Sequence, residues 1–156
     1  TAFGCPFQGD IPVEQVFKMI DNGIAVGVDE ICLCDTIGIA NPKQVDDVLT
    51  QIKVRYPDRV FSLHLHDTRG MGLANTLVAL QKGITIFESA IGGLGGCPFA
   101  PGAAGNIATE DLVFMLEQMG INTNVKLDKL LETAQLVKSK INYNLTGHLV
   151  NVYTTV

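Results

Sequence analysis

Short apolar runs alternate with amphipathic helical patterns along this chain, and that alternation narrows the folds open to it. Asp10 and Pro12 open a helix with Val13, Val16, Phe17, Ile20 and Ile24 at helical spacing. The run Glu30 to Cys34 then reads as a buried strand. Asn41-Pro42-Lys43-Gln44 carries a cap residue, a proline at the first helical position and a Gln at the third, a capping-box pattern. Val45, Val48, Leu49 and Ile52 form the apolar face of that helix, and Pro57 ends it. Val60 to His66 reads as the next strand, and Leu73, Ala74, Leu77 and Leu80 mark the helix after it, closed by Gly83. Ile84 to Ser89 reads as a third strand. Thr109 is expected to cap a helix carrying Leu112, Met115, Leu116 and Met119, and a last helix runs from about Lys126 to Lys140. Thr1 to Gly4 reads as the end of a strand whose beginning lies upstream. With no initiating Met, the chain is expected to be a piece of a longer protein.

Strands that alternate with helices imply right-handed crossovers and a parallel sheet. An open doubly wound sheet and part of a (β/α)8 barrel both fit. The chemistry-bearing residues sit at the C-terminal ends of the strands, where barrel active sites lie, although open sheets bind ligands at that edge too. These residues are Asp35 after the first strand, His64, His66 and Asp67 at the second, and Cys97 beyond the third.

His64-Leu65-His66 is the sharpest short motif. Residues two apart on a strand point to one side, so both imidazoles are expected to face inward while Leu63 and Leu65 face the helices. Two neutral imidazoles side by side are a ready divalent-metal site. Asn106 adds an amide oxygen, and Asp35 and Asp67 add carboxylates. Mixed nitrogen and oxygen donors favour Mg2+ or Mn2+. Cys32-Leu33-Cys34 lacks the spacing of a zinc turn and reads as a pair of small buried hydrophobes.

Between Gly92 and Gly105 lie six glycines and one cysteine, in the segment Gly-Gly-Leu-Gly-Gly-Cys-Pro-Phe-Ala-Pro-Gly-Ala-Ala-Gly. Such a stretch suits neither helix nor strand, but it suits sharp turns and close approach to a ligand. Cys97 in its middle is a candidate nucleophile, general acid or structural thiol. Arg69 could meet an anion, though an exposed loop charge is the plainer reading. His148 is expected on the surface.

Composition excludes several classes. The 156 residues carry a net charge of −5, which leaves no basic stripe for nucleic acid. No apolar run has the length of a membrane span, and no signal peptide begins the chain. Four cysteines in a chain of this size are too few for a disulfide scaffold, so reduced thiols and a non-secreted protein are expected.

Taken together, Asp35-Thr36-Ile37-Gly38, His64 to Thr68, Gly4-Cys5-Pro6-Phe7, Ala74 to Leu77 and above all Gly92 to Asn106 resemble 3-hydroxy-3-methylglutaryl-CoA lyases. The likeness runs from Thr1 to about Ala134. It implies an α/β fold that is the C-terminal half of a (β/α)8 TIM barrel, strands five to eight, with extra C-terminal helices. Residues 1–120 would form the barrel units and 121–156 a helical extension. The implied reaction is retro-Claisen cleavage of an acyl-CoA substrate to acetyl-CoA and acetoacetate.

By the same resemblance His64, His66 and Asn106 would bind the divalent cation, Mg2+ or Mn2+. Asp35 would assist proton transfer at the substrate hydroxyl, and Cys97 would assist protonation of the acetyl-CoA carbanion. Glu110, Asp67, Cys32, Gly95 and Gly96 would support the site or shape its loop. Many family members have Ser where this chain has Cys32. The family's Arg-Asp-Gly motif, which supplies a catalytic Arg and a metal-binding Asp, is absent from these residues. The chain alone is therefore expected to be inactive or very weak. It is also expected to form a homo-oligomer or to pair with the missing half-barrel, in a bacterial cytosol or a mitochondrial matrix. A related acyl-CoA synthase or aldolase, or an interaction-only half-barrel, would be the alternatives.

Overall fold

The computed structural model describes residues 1–96 and 105–152. Its elements run α1 (Val13–Ala25), β1 (Glu30–Asp35), α2 (Pro42–Arg55), β2 (Val60–Leu65), α3 (Gly72–Gln81), β3 (Ile86–Glu88), a 3-10 turn (Ile91–Gly93), α4 (Thr109–Gln118), α5 (Leu127–Lys140) and α6 (Leu149–Val152). The three strands form a parallel sheet in the order β1-β2-β3. Two rows cross one face: Cys32, Ser62 and Ile86, then Cys34, His64 and Glu88. Leu33, Leu63 and Phe87 make the intervening row, and Asp35 lies level with Leu65. Leu33, Leu63 and Leu65 are buried with Val45, Leu49 and Ile52 of α2, Val16 and Ile20 of α1 and Ala79 of α3. One face of the sheet is thus the helix-covered core, and the other carries the polar rows.

Local chemistry explains the element ends. Asn41 Oδ1 accepts from the Gln44 N–H at 3.0 Å, as the cap pattern predicts. The Gln44 side chain does not complete the box: its Nε2 donates to Phe3 O at 2.7 Å, which ties the N-terminal segment to α2. Asn75, fully buried, donates from Nδ2 to Ala40 O at 2.9 Å and anchors α3 to the β1–α2 loop.

The structure differs from the sequence expectations at five points. Thr1 to Gly4 is not a strand, although the Ala2 N–H reaches Cys34 O at 2.9 Å along the edge of β1. The third strand is only three residues long, Ile86–Glu88, paired with Ser62 to His64 of β2. His66 lies one residue past β2, in an isolated bridge to Asn106. Thr109 is the first residue of α4 and not its cap; its Oγ1 pairs with Ser89 Oγ at 2.9 Å and joins α4 to the end of β3. The short helix α6 has no counterpart among the expected elements.

Candidate functional site

The polar face of the sheet ends in a cluster built by β2, β3 and the segment before α4. His64 Nδ1 lies 2.7 Å from Glu88 Oε2, its register neighbour on β3. A carboxylate accepts only, so it fixes the proton on Nδ1 and leaves the Nε2 of His64 a lone pair. That Nε2 accepts a 3.1 Å hydrogen bond from His66 Nε2, whose proton a bound cation would displace. Burial, with His64 as a smaller cause, pushes the His66 pKa down, which keeps that ring neutral. His66 Nδ1 is buried with no hydrogen-bond partner.

Asn106 is brought beside His66 by backbone pairing. The Asp67 N–H donates to Gly105 O at 3.1 Å and the Ile107 N–H to Leu65 O at 3.2 Å, which extends the β2 ladder past its last residue. The carboxamide is oriented by its own donor: Nδ2 reaches Leu94 O at 2.8 Å. Its Oδ1 is then a buried acceptor without a partner. An orphaned carbonyl oxygen is costly unless something outside the protein meets it.

Two ring nitrogens thus lie 3.1 Å apart at the C-terminal edge of the sheet, and the backbone bridge between His66 and Asn106 brings an amide oxygen to the same edge. An octahedral ion with bonds of about 2.1 Å spaces adjacent donors by about 3.0 Å, close to the separation of the two Nε2 atoms. Among the described residues no group of three or more His, Cys, Asp and Glu side chains could hold a metal. The set reaches three donors only because an amide oxygen counts as one, and amide oxygen suits hard cations.

The other expected site residues are placed as follows. Asp35 is 1 % exposed and on the helix-facing side, where Oδ1 accepts from the Ile39 N–H at 2.9 Å and Oδ2 from the Ala40 N–H at 3.0 Å. Burial raises its pKa, against the lowering pull of those N–H groups and of Arg69. Asp67 Oδ1 accepts from the Gly72 N–H at 2.7 Å and shapes the turn into α3. Glu110 is fully buried; both its oxygens lie 3.1 Å from the Gly92 N, at the start of the glycine-rich segment. Gly95 has a φ of +95°, and a Cβ there would meet Asn106 Nδ2 at 2.8 Å, so only glycine fits beside that carboxamide. Nothing lies within 4 Å of a Cβ built on Gly96. Burial pushes the Cys32 thiol up to about 12, which leaves it a protonated, unreactive group beside Ser62. Cys97 lies outside the described residues.

Sequence reasoning missed Glu88, Asp111 and the use made of Arg69. Glu88 ends an expected strand just as His64 does, so alignment of the strand ends was the available signal. Arg69 donates from Nη1 to Ile37 O at 2.9 Å and Gly38 O at 3.0 Å, bracing the neighbouring loop. His148 is on the surface as expected, but its Nδ1 lies 2.9 Å from Asp111 Oδ2.

Comparison with known proteins gives this geometry a setting. The HMGL-like family model matches residues 1–137. The chain belongs to that family. It is 51 % identical over 153 residues to hydroxymethylglutaryl-CoA lyase YngG of Bacillus subtilis, covering 98 % of this chain and 51 % of that protein. It is 45 % identical over 141 residues to the mitochondrial hydroxymethylglutaryl-CoA lyase of Homo sapiens, covering 90 % of this chain and 43 % of that one. An HMG-CoA lyase from Acinetobacter baumannii, solved in complex with coenzyme A and 3-methylmalate, superposes with a TM-score of 0.90 at 43 % identity, over 97 % of this chain and 50 % of that one. This HMGL-like chain thus spans about half the length of the relatives it matches. Those relatives include bacterial, mitochondrial and cytoplasmic forms. No helix among the described residues is long and apolar enough to cross a membrane.

Proposed function

We propose that this chain forms part of a divalent-metal-dependent lyase that cleaves 3-hydroxy-3-methylglutaryl-CoA to acetyl-CoA and acetoacetate. The observation that carries the reading is the approach of the His64 and His66 Nε2 atoms, with Asn106, whose Oδ1 has no partner, bridged to His66 through the backbone. It occurs in a chain 51 % identical to a hydroxymethylglutaryl-CoA lyase. His64, His66 and Asn106 would hold the cation, Mg2+ or Mn2+. Once bound, it would polarise the C3 hydroxyl of the substrate and offset the charge that develops as the carbon–carbon bond breaks.

The chain's own residues supply positioning and proton transfer. Glu88 holds the His64 ring so that Nε2 stays free of a proton. A base takes the C3 hydroxyl proton, and Asp35 would assist only through the β1–α2 loop it braces, since its carboxylate is buried on the helix-facing side and holds the Ile39 and Ala40 N–H groups. Removal of that proton lets the C3–O electrons form the ketone of acetoacetate. The C2–C3 bond breaks, and its electron pair moves into the thioester enolate. Cys97 would give a proton to C2, completing acetyl-CoA, and the proton taken by the base restores the thiol.

We also propose that the three strands, with the Thr1–Gly4 segment along the edge of β1, belong to four units of a TIM barrel whose remainder packs on the β1 side. A groove of about 530 Å³ opens there, lined by Ile11, Val16, Met19, Ile20 and Ile31. Residues 121–156 would be a helical extension outside the barrel units. Mixing the chain with the complementary half of the B. subtilis relative tests the reading. Acetoacetate should form from the thioester only with both pieces and Mg2+ present, and His66→Ala in this chain should abolish it. Product formed equally by the His66→Ala mixture would refute the assignment.

A further inference from the structure

The C-terminal residues Leu145 to Val152 lie against the start of the glycine-rich segment. The Thr146 N–H and the Gly147 N–H donate to Gly92 O at 3.0 and 3.2 Å. The Gly92 N–H faces Glu110 from its other side, so both polar groups of this residue are held. A Cβ at Gly92 would strike Leu145 Cδ1 at 2.7 Å, and one at Gly93 would strike Thr146 Oγ1 and Asn106 O. A Cβ at Gly147 would meet Glu110 Oε1 at 2.6 Å. The fit leaves no room for a side chain at any of the three positions. Leu145 and Val150 bury themselves with Ala134 in a small cluster separate from the main core.

Asp111 anchors these residues. It is 7 % exposed, and its Oδ2 accepts from the His148 N–H at 2.7 Å and its Oδ1 from the Leu149 N–H at 2.8 Å. Asn151 adds a clasp, donating from Nδ2 to Leu145 O at 3.1 Å and Gly147 O at 2.7 Å. The neighbouring acids Glu110 and Asp111 thus grip opposite partners, the loop stem and the C-terminal residues. From Gly92 the path is short: Leu94 O is the acceptor that orients the Asn106 carboxamide.

We propose that Leu145 to Val152 is a strap that positions the stem Gly92 to Leu94 and, through Leu94 O, the Asn106 ligand, with Asp111 as its positioning residue. The proposal deepens the metal-site reading and rests on it for its functional consequence. Among the described residues no hydrogen bond joins Asp111 or the strap to His64, His66 or the Asn106 side chain, so their effect passes through the stem.

The test compares Asp111→Asn, Asn151→Ala and the core control Ile52→Val with the unsubstituted chain. Two readouts are taken: amide hydrogen exchange of residues 91–94 and 145–149, and Mn2+ binding followed by electron paramagnetic resonance. Both strap variants should speed exchange in the two segments together and weaken Mn2+ binding by about tenfold, the usual loss for a group that orients a ligand. Ile52→Val should do neither. Faster exchange confined to 145–149, with Mn2+ binding unchanged, would overturn the proposal. If Mn2+ binding to the unsubstituted chain is indifferent to His66→Ala, the metal reading fails on its own. The coupling of exchange between the two segments then decides whether the strap positions the stem. Should Asp111→Asn fail to fold, the more exposed Asn151→Ala carries the same comparison.

Discussion

Glu110 offers the sharpest test of how the loop stem is held. It is fully buried, with its carboxylate against the backbone at Gly92 and Gly147. Glu110→Ala would leave the buried Gly92 N–H without its acceptor, at about 1–3 kcal/mol. It would also open a cavity between Gly92 and Gly147, so a total of about 3 kcal/mol is expected. For a chain of 156 residues that corresponds to a fall in Tm of about 6–12 °C. Glu110→Gln keeps one oxygen for the Gly92 N–H and removes the charge. Burial raises the Glu110 pKa above its ordinary value of 4.5, more than the Gly92 N–H lowers it.

That raised pKa sets the sign of the pH effect. Between 4.5 and the raised value the folded chain binds more protons at this site than the unfolded chain, so stability falls as pH rises through that window. Asp35 shifts in the same direction, so the difference between the unsubstituted and Glu110→Gln chains isolates the one group. Urea unfolding from about pH 4 to 8 should show the Glu110→Gln chain gaining on the unsubstituted chain as pH rises. The Glu110→Ala chain should lie well below both. A Glu110→Gln chain as unstable as Glu110→Ala at about pH 8, or a difference that grows as pH falls, would refute the picture of a costly buried carboxylate held for its geometry.

Glu88→Gln should weaken Mn2+ binding by about tenfold in a titration, because the amide can present its NH2 to His64 Nδ1 and release the ring from one tautomer. Gly95→Ala should impair metal binding and lower Tm, whereas Gly96→Ala should leave Tm nearly unchanged, since only the first forces a Cβ onto Asn106 from a positive φ. Cys32 should resist alkylation at about pH 8, with modification appearing only as pH approaches 12; mass spectrometry of iodoacetamide-treated chain reads this directly.

Much of the site was legible because its residues obey short-range rules. The two-residue strand repeat alone puts His64 and His66 side by side, and their Nε2 separation of 3.1 Å agrees. The Asn41 cap and the apolar faces of α1 and α2 are of the same kind. Residues that act across long separations in sequence were not legible. Gln44 satisfies Phe3 O and not its own cap, and Thr109 bonds Ser89, because each found a tertiary partner that competes with the local one. The alternation that signalled β1 also put Asp35 on the helix-facing side, a consequence that only the register with Leu65 makes plain.

The sequence by itself determined the order of the elements from α1 to α5, the parallel sheet and the identity of the histidine pair, since periodicity and side-chain direction are properties of the local chain. Only the tertiary structure decided that Asn106 keeps a free oxygen, that Glu88 fixes the His64 tautomer and that Glu110 and Asp111 grip opposite segments. Those outcomes depend on which donor reaches which acceptor after packing. Such pairing is set by burial and distance among residues far apart in the chain, and no periodicity records it.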